Sequence, residues 1–241
     1  MNRKTKRKPV DYSGFSLKRL NEPRFSHIKL LVGSWLFYFT MYFLTENLIP
    51  REACHPIHCF LDDIIPFNEY FLIFYCGWYL LVFGSLAYTF FYDVPKFRKL
   101  QTYILITQII AMACYVIYPS RQDLRPAVFE RENFLTAVMA FIYSFDTSTG
   151  VCPSLHVGYS LGILSVALKD RELGTGWKVA LGFTVFMICL AVCFVKQHSA
   201  LDVLFAIPMC LVAEWITYGK DYWAPRLQKD RRRRSTKKQI A

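Results

Sequence analysis

The feature that most limits the fold of this chain is a set of apolar runs close to twenty residues long. A helix needs about 20 mostly apolar residues to cross a hydrocarbon core about 30 Å thick. Six runs approach or exceed that length, at 29–48, 69–92, 101–119, 151–168, 177–196 and 199–218. Backbone polar groups in lipid must be satisfied within their own segment, so each run is read as a helix. The expected fold is all-α, a six-span transmembrane helical bundle over 29–219 with basic tails at 1–28 and 220–241. A seventh run, Phe134–Phe145, has 12 residues. It reaches only about 18 Å as a helix, so it reads as interfacial or re-entrant. The segment Ile57–Phe67 reads as a short surface element. The first run has no small-residue cleavage site after it and reads as a retained span, not a signal peptide.

Charge sets the expected orientation. The net charge is +11, carried mainly by the tails and by short loops between apolar runs. That distribution suits anionic lipid, and no nucleic-acid-binding motif is present. With the N-terminus inside, 24 Lys and Arg fall on the inner side and 5 on the outer. Such asymmetry is the positive-inside signature and places both termini in the cytoplasm. The 8 cysteines have no framework spacing, and most sit within apolar runs, where Cys behaves as a small hydrophobe.

Three segments at the outer ends of the runs carry the residues for chemistry. In Lys196-Gln-His-Ser-Ala-Leu-Asp202, His198 and Asp202 are four apart and share a helix face. A carboxylate on one ring nitrogen fixes the tautomer and leaves the other nitrogen as nucleophile or base. Asp202 lies inside an otherwise apolar helix, where an ionisable residue by default suggests function. Lys196 adds a cation beside the pair. In Cys152-Pro-Ser-Leu-His156, Pro153 suits a first helical turn, Ser154 could donate to a phosphate oxygen and His156 could protonate a leaving group. In Tyr118–Pro126, Arg121 and Arg125 supply guanidinium groups that match phosphate oxygens bidentately. Each segment alone also reads as a helix cap, an interfacial turn or a headgroup contact. Together they place two His, an Asp, a Ser and three cations at one membrane face, the set that phosphoryl transfer needs.

The three segments resemble the signature motifs of the type 2 phosphatidic acid phosphatase superfamily, K-x6-R-P, P-S-G-H and S-R-x5-H-x3-D. Arg125-Pro126 matches the end of the first, Pro153-Ser154-Leu155-His156 matches three of four positions of the second, and His198 and Asp202 match the end of the third. The resemblance covers roughly 29–218. It implies that His198 attacks phosphorus, Asp202 orients His198, His156 protonates the leaving alcohol, and Arg125 and Ser154 hold the phosphate. It implies no metal and no cofactor, with a lipid phosphate as substrate. Tyr118 stands where the family has Lys, Leu155 where it has Gly, and Ala191-Val192 where it has Ser-Arg. Arg121 and Lys196 are the nearest cations to the two missing ones. The C-P-S-L-H and K-Q-H-x-x-x-D forms look closer to inositol phosphorylceramide synthases and sphingomyelin synthases, in which an alcohol takes the phosphoryl headgroup in place of water.

Other readings remain open at this level. A non-catalytic phospholipid binder or a transporter could use the same scaffold, although a transporter predicts inverted repeats, and none is evident. A zinc hydrolase would need a motif such as H-E-x-x-H, which is lacking. Cys54-His-Pro-Ile-His-Cys59 reads as a disulfide or an ordinary loop, Asp62-Asp63 as solvated charge or a helix cap, and Asp146–Thr149 as support for the helix that follows. Pro208 should kink the last run, and the run of arginines at 231–234 should bind anionic headgroups.

Overall fold

A computed structural model describes residues 8–229. The arginine run at 231–234 lies outside the described residues. The elements are α1 (Ser26–Leu48), β1 (His55–Pro56), α2 (Phe60–Ile64), α3 (Leu72–Tyr92), α4 (Val94–Ile117), β2 (Ser120–Arg121), α5 (Phe134–Phe145), α6 (Leu155–Lys169), α7 (Thr175–Phe194) and α8 (Ala200–Tyr218). Among the described residues the fold is all-helical with almost no sheet: β1 pairs with β2 in parallel over two residues, and Arg121 bridges Thr149. Among the described residues five helices are long and apolar enough to cross a membrane: Ser26–Leu48, Glu69–Tyr92, Val94–Ile117, Thr175–Phe194 and Ala200–Lys229. Large apolar side chains such as Leu36, Phe83, Phe186 and Leu211 are exposed along them, as lipid-facing positions require.

Two boundaries differ from the reading of the sequence. The basic stretch after Tyr92 is not a loop but the first turns of α4. The Asp93 side chain accepts from the Lys96 N–H at 3.1 Å and Pro95 sits in the first turn, both of which start a helix whatever its hydropathy. The fourth apolar run yields a shorter helix, α6, of 15 residues, because Ser154 before it is extended. Phe134–Phe145 forms α5, capped by Asn133 and Thr136. α8 continues through Pro208.

α6 lies at the centre, against α3, α4, α7 and α8. Its segment runs beside α4, from Pro153, whose carbonyl accepts from the Tyr115 hydroxyl at 2.8 Å, to Asp170, which pairs with Lys96 at 2.7 Å. Helices in lipid gain little from apolar burial against one another, so close backbone approach matters. Gly158 and Gly162 provide it. A Cβ at Gly162 would meet the Tyr103 ring at 2.6 Å, and one at Gly158 would meet Met209 at 3.0 Å. Buried hydrogen bonds also link the helices, from Gln101 to Ser34 at 2.6 Å and from Gln108 to Tyr159 at 2.9 Å.

The two ends of the bundle differ. At the basic end Lys96, Lys99 and Lys169 pair with Asp170, Asp221 and Glu214. Residues 8–25, read as part of a tail, fold against this end: the Tyr12 hydroxyl donates to the Phe90 carbonyl at 2.8 Å and contacts buried His27 at 2.8 Å. The other end gathers the start of α6, the α7–α8 turn, α2, α5 and the β1–β2 pair. All 8 cysteines are free, so no disulfide closes Cys54–Cys59; the segment carries β1, with His55 stacked on Tyr118 and His58 paired with Asp63.

Candidate functional site

The α7–α8 turn is tight. Lys196 adopts φ 51°, a left-handed conformation uncommon for a residue with a side chain. The N–H groups of Gln197 and His198 then both donate to the Val192 carbonyl at 3.0 Å. Ser199 caps α8, and its N–H donates to Asp202 Oδ2 at 3.0 Å. This turn points His198 inward, where it is 7% exposed, and leaves Asp202 fully buried.

The start of α6 meets that turn. The Ser154 N–H donates to the Asp202 carbonyl at 3.1 Å. Trp78 Nε1 donates to the His156 carbonyl at 3.0 Å, and the Trp78 and His156 rings lie 4.3 Å apart. The Ser120 hydroxyl of β2 accepts from the N–H groups of Val151 and Cys152 at 3.3 and 3.1 Å. These contacts bring His156 Nδ1 to 3.1 Å from His198 Nε2.

The proton positions along the pair follow from its partners. His198 Nδ1 faces two acceptors, Asp202 Oδ2 and the Val151 carbonyl, each at 3.1 Å. It therefore carries the hydrogen, and Nε2 of a neutral His198 is an acceptor. His156 Nδ1 then donates to it. The result is a directed chain, Asp202 to His198 to His156, that ends at His156 Nε2, a buried atom with no protein partner.

Two helix N-termini face this centre and differ in state. At α8 the first-turn N–H groups are occupied: Ser199 N–H by Asp202, Ala200 N–H by Asp62 Oδ1 at 2.8 Å, and Leu201 N–H by the Ser199 hydroxyl at 3.1 Å. At α6, Ser154 makes no side-chain cap, and its buried hydroxyl has no partner. The first-turn N–H groups of a helix lack intrahelical acceptors and favour an anion. Only the α6 end is open in this way.

The cations of the sequence reading lie in other networks. Lys196 Nζ donates to the carbonyls of Asp62, at 2.9 Å, and Ile65, closing the end of α2. Arg121 donates to the carbonyls of Arg51 and Cys54 and pairs with Asp123. Arg125 donates to the carbonyls of Tyr143, Asp146 and Thr147 and to Gln197 Oε1 at 2.6 Å, and its buried Nε has no partner. Thus His156, His198, Asp202 and Ser154 come together, Arg125 stands one residue away through Gln197, and Arg121 and Lys196 are engaged elsewhere.

Three residues emerge that sequence reasoning passed over or gave a minor role. Gln197 links Arg125 to Asp146, donating to Asp146 Oδ2 at 2.8 Å. Burial pushes the Asp146 carboxyl above the usual range, against the pull of Arg125 and His198. Asp62 ties α2 to the α7–α8 turn through Ser199 Oγ at 2.5 Å and the Ala200 N–H. Burial raises the Asp62 pKa, but these hydrogen bonds outweigh it and leave the group below its ordinary value.

A cavity of about 530 Å³ opens between α1, α3, α4 and α6, walled by Trp35, Tyr38, Trp78 and Tyr159, with His156 and His198 among its lining. A second, more polar cavity of about 640 Å³ lies at the same end, between the end of α1 and the α5–α6 loop. No protein family, curated protein or solved structure matches the chain.

Proposed function

We propose that this protein is an integral membrane lipid phosphatase that works through a phosphohistidine. The observation that carries the reading is the directed chain from Asp202 through His198 to His156, beside the open N-terminus of α6. In the first step His198 Nε2 attacks phosphorus, entering the space between the two rings, and the bond from phosphorus to the lipid oxygen breaks. His156, charged by a proton taken from solvent, gives that proton to the departing oxygen. Asp202 holds the Nδ1–H of the imidazolium that forms. In the second step water attacks phosphorus, His156 takes its proton, and the P–N electron pair returns to His198. Ser154 and the first turn of α6 supply donors to the phosphate oxygens. The aromatic cavity, reached from the bundle side, accommodates the apolar part of the substrate.

We take α6 as a sixth span. Its segment extends from the level of Tyr115 to that of Lys96 on α4 and is sheathed by other helices, so a 15-residue helix suffices. The basic end then faces the cytoplasm with both termini, and the site faces outward, in the plasma membrane. This arrangement and the three motifs together support membership of the type 2 phosphatidic acid phosphatase superfamily.

The test is phosphate release from a panel of lipid phosphates by the purified protein. His198→Ala and His156→Ala should each abolish release while thermal unfolding remains near wild type. An acid-labile phosphoryl label should appear on the wild type and be missing from His198→Ala. Vanadate should inhibit, because it mimics five-coordinate phosphorus. Full activity in His198→Ala, or strict dependence on a divalent metal, overturns the reading.

A further inference from the structure

His156 Nε2 is a buried atom with no protein partner. Rings surround it: Trp78 at 4.3 Å, Tyr75 at 5.0 Å and His198 at 5.2 Å, centroid to centroid. A charged His156 would add an N–H at Nε2 with no acceptor beside it, so the resting ring is neutral. On the phosphohistidine reading this ring protonates the leaving oxygen. A proton must therefore enter with each substrate and leave with each phosphate product. His198 cannot carry it, because Asp202 and the Val151 carbonyl hold its Nδ1–H and its Nε2 is the nucleophile.

The chamber around the two rings contains one other group able to exchange a proton near neutral pH. Its lining is aromatic and aliphatic apart from the histidines, Asp146, Thr147, Thr149 and Gln197. Tyrosine and threonine hydroxyls keep their protons at neutral pH, which leaves the Asp146 carboxyl. Asp146 also stands in a shared wall. With Phe145, Thr147 and Thr149 it lines both the histidine chamber and the polar chamber at the end of the bundle. Gln197 Nε2 holds Asp146 Oδ2 at 2.8 Å and reaches the Tyr75 hydroxyl at 3.3 Å, so the carboxyl is fixed on the side of the chamber where Tyr75 packs against His156. Burial raises the Asp146 carboxyl from its ordinary value toward that of an imidazole, against the pull of Arg125 and His198. Groups of similar pKa exchange protons in both directions. The groups that face Asp146 are Arg125 from the loop after β2, His198 from the α7–α8 turn, Tyr75 and Tyr79 from α3, and Tyr38, Tyr42 and Glu46 from α1.

Resting on the phosphohistidine reading, we propose that Asp146 is the proton relay between the polar chamber and His156. A proton from solvent in the polar chamber adds to the carboxylate. The Asp146 O–H bond then breaks, the proton passes through water in the histidine chamber to the lone pair of His156 Nε2, and the carboxylate is restored. The imidazolium gives that proton to the departing lipid oxygen. When water later attacks phosphorus, the proton that His156 takes from it returns to Asp146 and from there to solvent. Asp146 acts through His156 and touches neither phosphorus nor lipid.

The test is steady-state phosphate release from phosphatidic acid in dilute HEPES, expressed per mole of folded protein. Asp146→Asn should lower the rate roughly tenfold or more. Added imidazole, a small buffer that fits the polar chamber, should restore most of the lost rate saturably. HEPES, a bulky buffer, should not do so at equal concentration, and wild type should respond to neither. A purely structural role for Asp146 predicts no such response. A wild-type rate in Asp146→Asn, a lowered rate that imidazole leaves unchanged, or equal rescue by both buffers overturns the relay. Asp146→Ser, which opens space for imidazole beside Gln197, decides in the same way where Asp146→Asn does not fold. If release requires His198 and one of these results is found, the phosphatase reading stands and this inference falls. Full release in His198→Ala overturns both.

Discussion

Asp62→Ala should loosen the turn that carries His198 although Asp62 lies 136 residues before it in the chain. Three hydrogen bonds end on the Asp62 carboxylate, from the Cys59 N–H at 2.8 Å, Ser199 Oγ at 2.5 Å and the Ala200 N–H at 2.8 Å. Hydrogen bonds to a charged group contribute about 1.5–3 kcal/mol each. Cys59 is only half-buried, so water can replace its partner. The donors of Ser199 and Ala200 decide the outcome, with a combined loss of about 3–6 kcal/mol before relaxation. Because they share one partner, the lower end of that range applies. For a chain of this length the loss corresponds to a fall in Tm of about 6–12 °C. Thermal unfolding in detergent, followed by a thiol-reactive dye, suits a protein whose Cys54, Cys193 and Cys210 are free and buried. Asp62→Asn keeps one acceptor oxygen and should lie between wild type and Asp62→Ala. A fall in Tm below about 2 °C, or identical behaviour of the two variants, refutes the reasoning. Lost phosphate release well below the Tm of the variant would show that Asp62 also positions His198.

Gly162→Ala should destabilise the protein by roughly 1–3 kcal/mol, because the added methyl meets the Tyr103 ring at 2.6 Å; a Tm equal to wild type would show that α4 and α6 can separate freely. Asp146 provides a pH dependence with a defined sign. Burial raises its folded pKa above the ordinary 3.8, so its stabilising contribution is present below that value and is lost as pH rises through the folded pKa. The Tm difference between wild type and Asp146→Asn should therefore move against wild type as pH rises above the ordinary carboxylate value of 3.8, and a constant difference would refute the shift.

The legible parts of the site were those fixed by local periodicity. The spacing of His198 and Asp202 suggested one helix face; His198 instead stands just before the Ser199 cap of α8, and the tight α7–α8 turn brings it to 3.1 Å from Asp202. The basic residues after Asp93 obscured the start of α4, because hydropathy registers lipid contact and not helix formation; the signals of Asp93 and Pro95 were present. Gly158-x3-Gly162 is likewise a small-residue spacing visible in the sequence, and it marks a face on which α6 packs closely. The role of Lys196 was not legible. Its charge suggests a phosphate, but its left-handed backbone sends the side chain to the carbonyls of α2, more than 130 residues away. Arg125 was misleading in a related way. A guanidinium satisfies backbone carbonyls as readily as phosphate oxygens, and the Tyr143–Thr147 segment claims it first.

The placement of these cations sets the electrostatic logic of the proposed phosphate site. With Lys196 and Arg121 engaged in the loops and both terminal nitrogens of Arg125 occupied, few mobile cations remain to compensate a phosphate dianion. α8 cannot compensate it either, because Asp202 and Asp62 already occupy its N-terminus and would repel an anion. The compatible position is therefore over the first turn of α6, where the dipole is uncapped and both the Ser154 hydroxyl and His156 Nε2 are unpartnered. A phosphorus held there has His198 Nε2 on one side, in the gap now closed by the 3.1 Å contact between the rings. The carboxylates at α8 would then act on His198 and not on the phosphate. They favour the imidazolium as negative charge leaves the nucleophile, while the uncapped helix opposite favours the anion. On the proposed reading, the opposite capping states of two neighbouring helices would divide the site into a half that binds phosphate and a half that supplies the nucleophile.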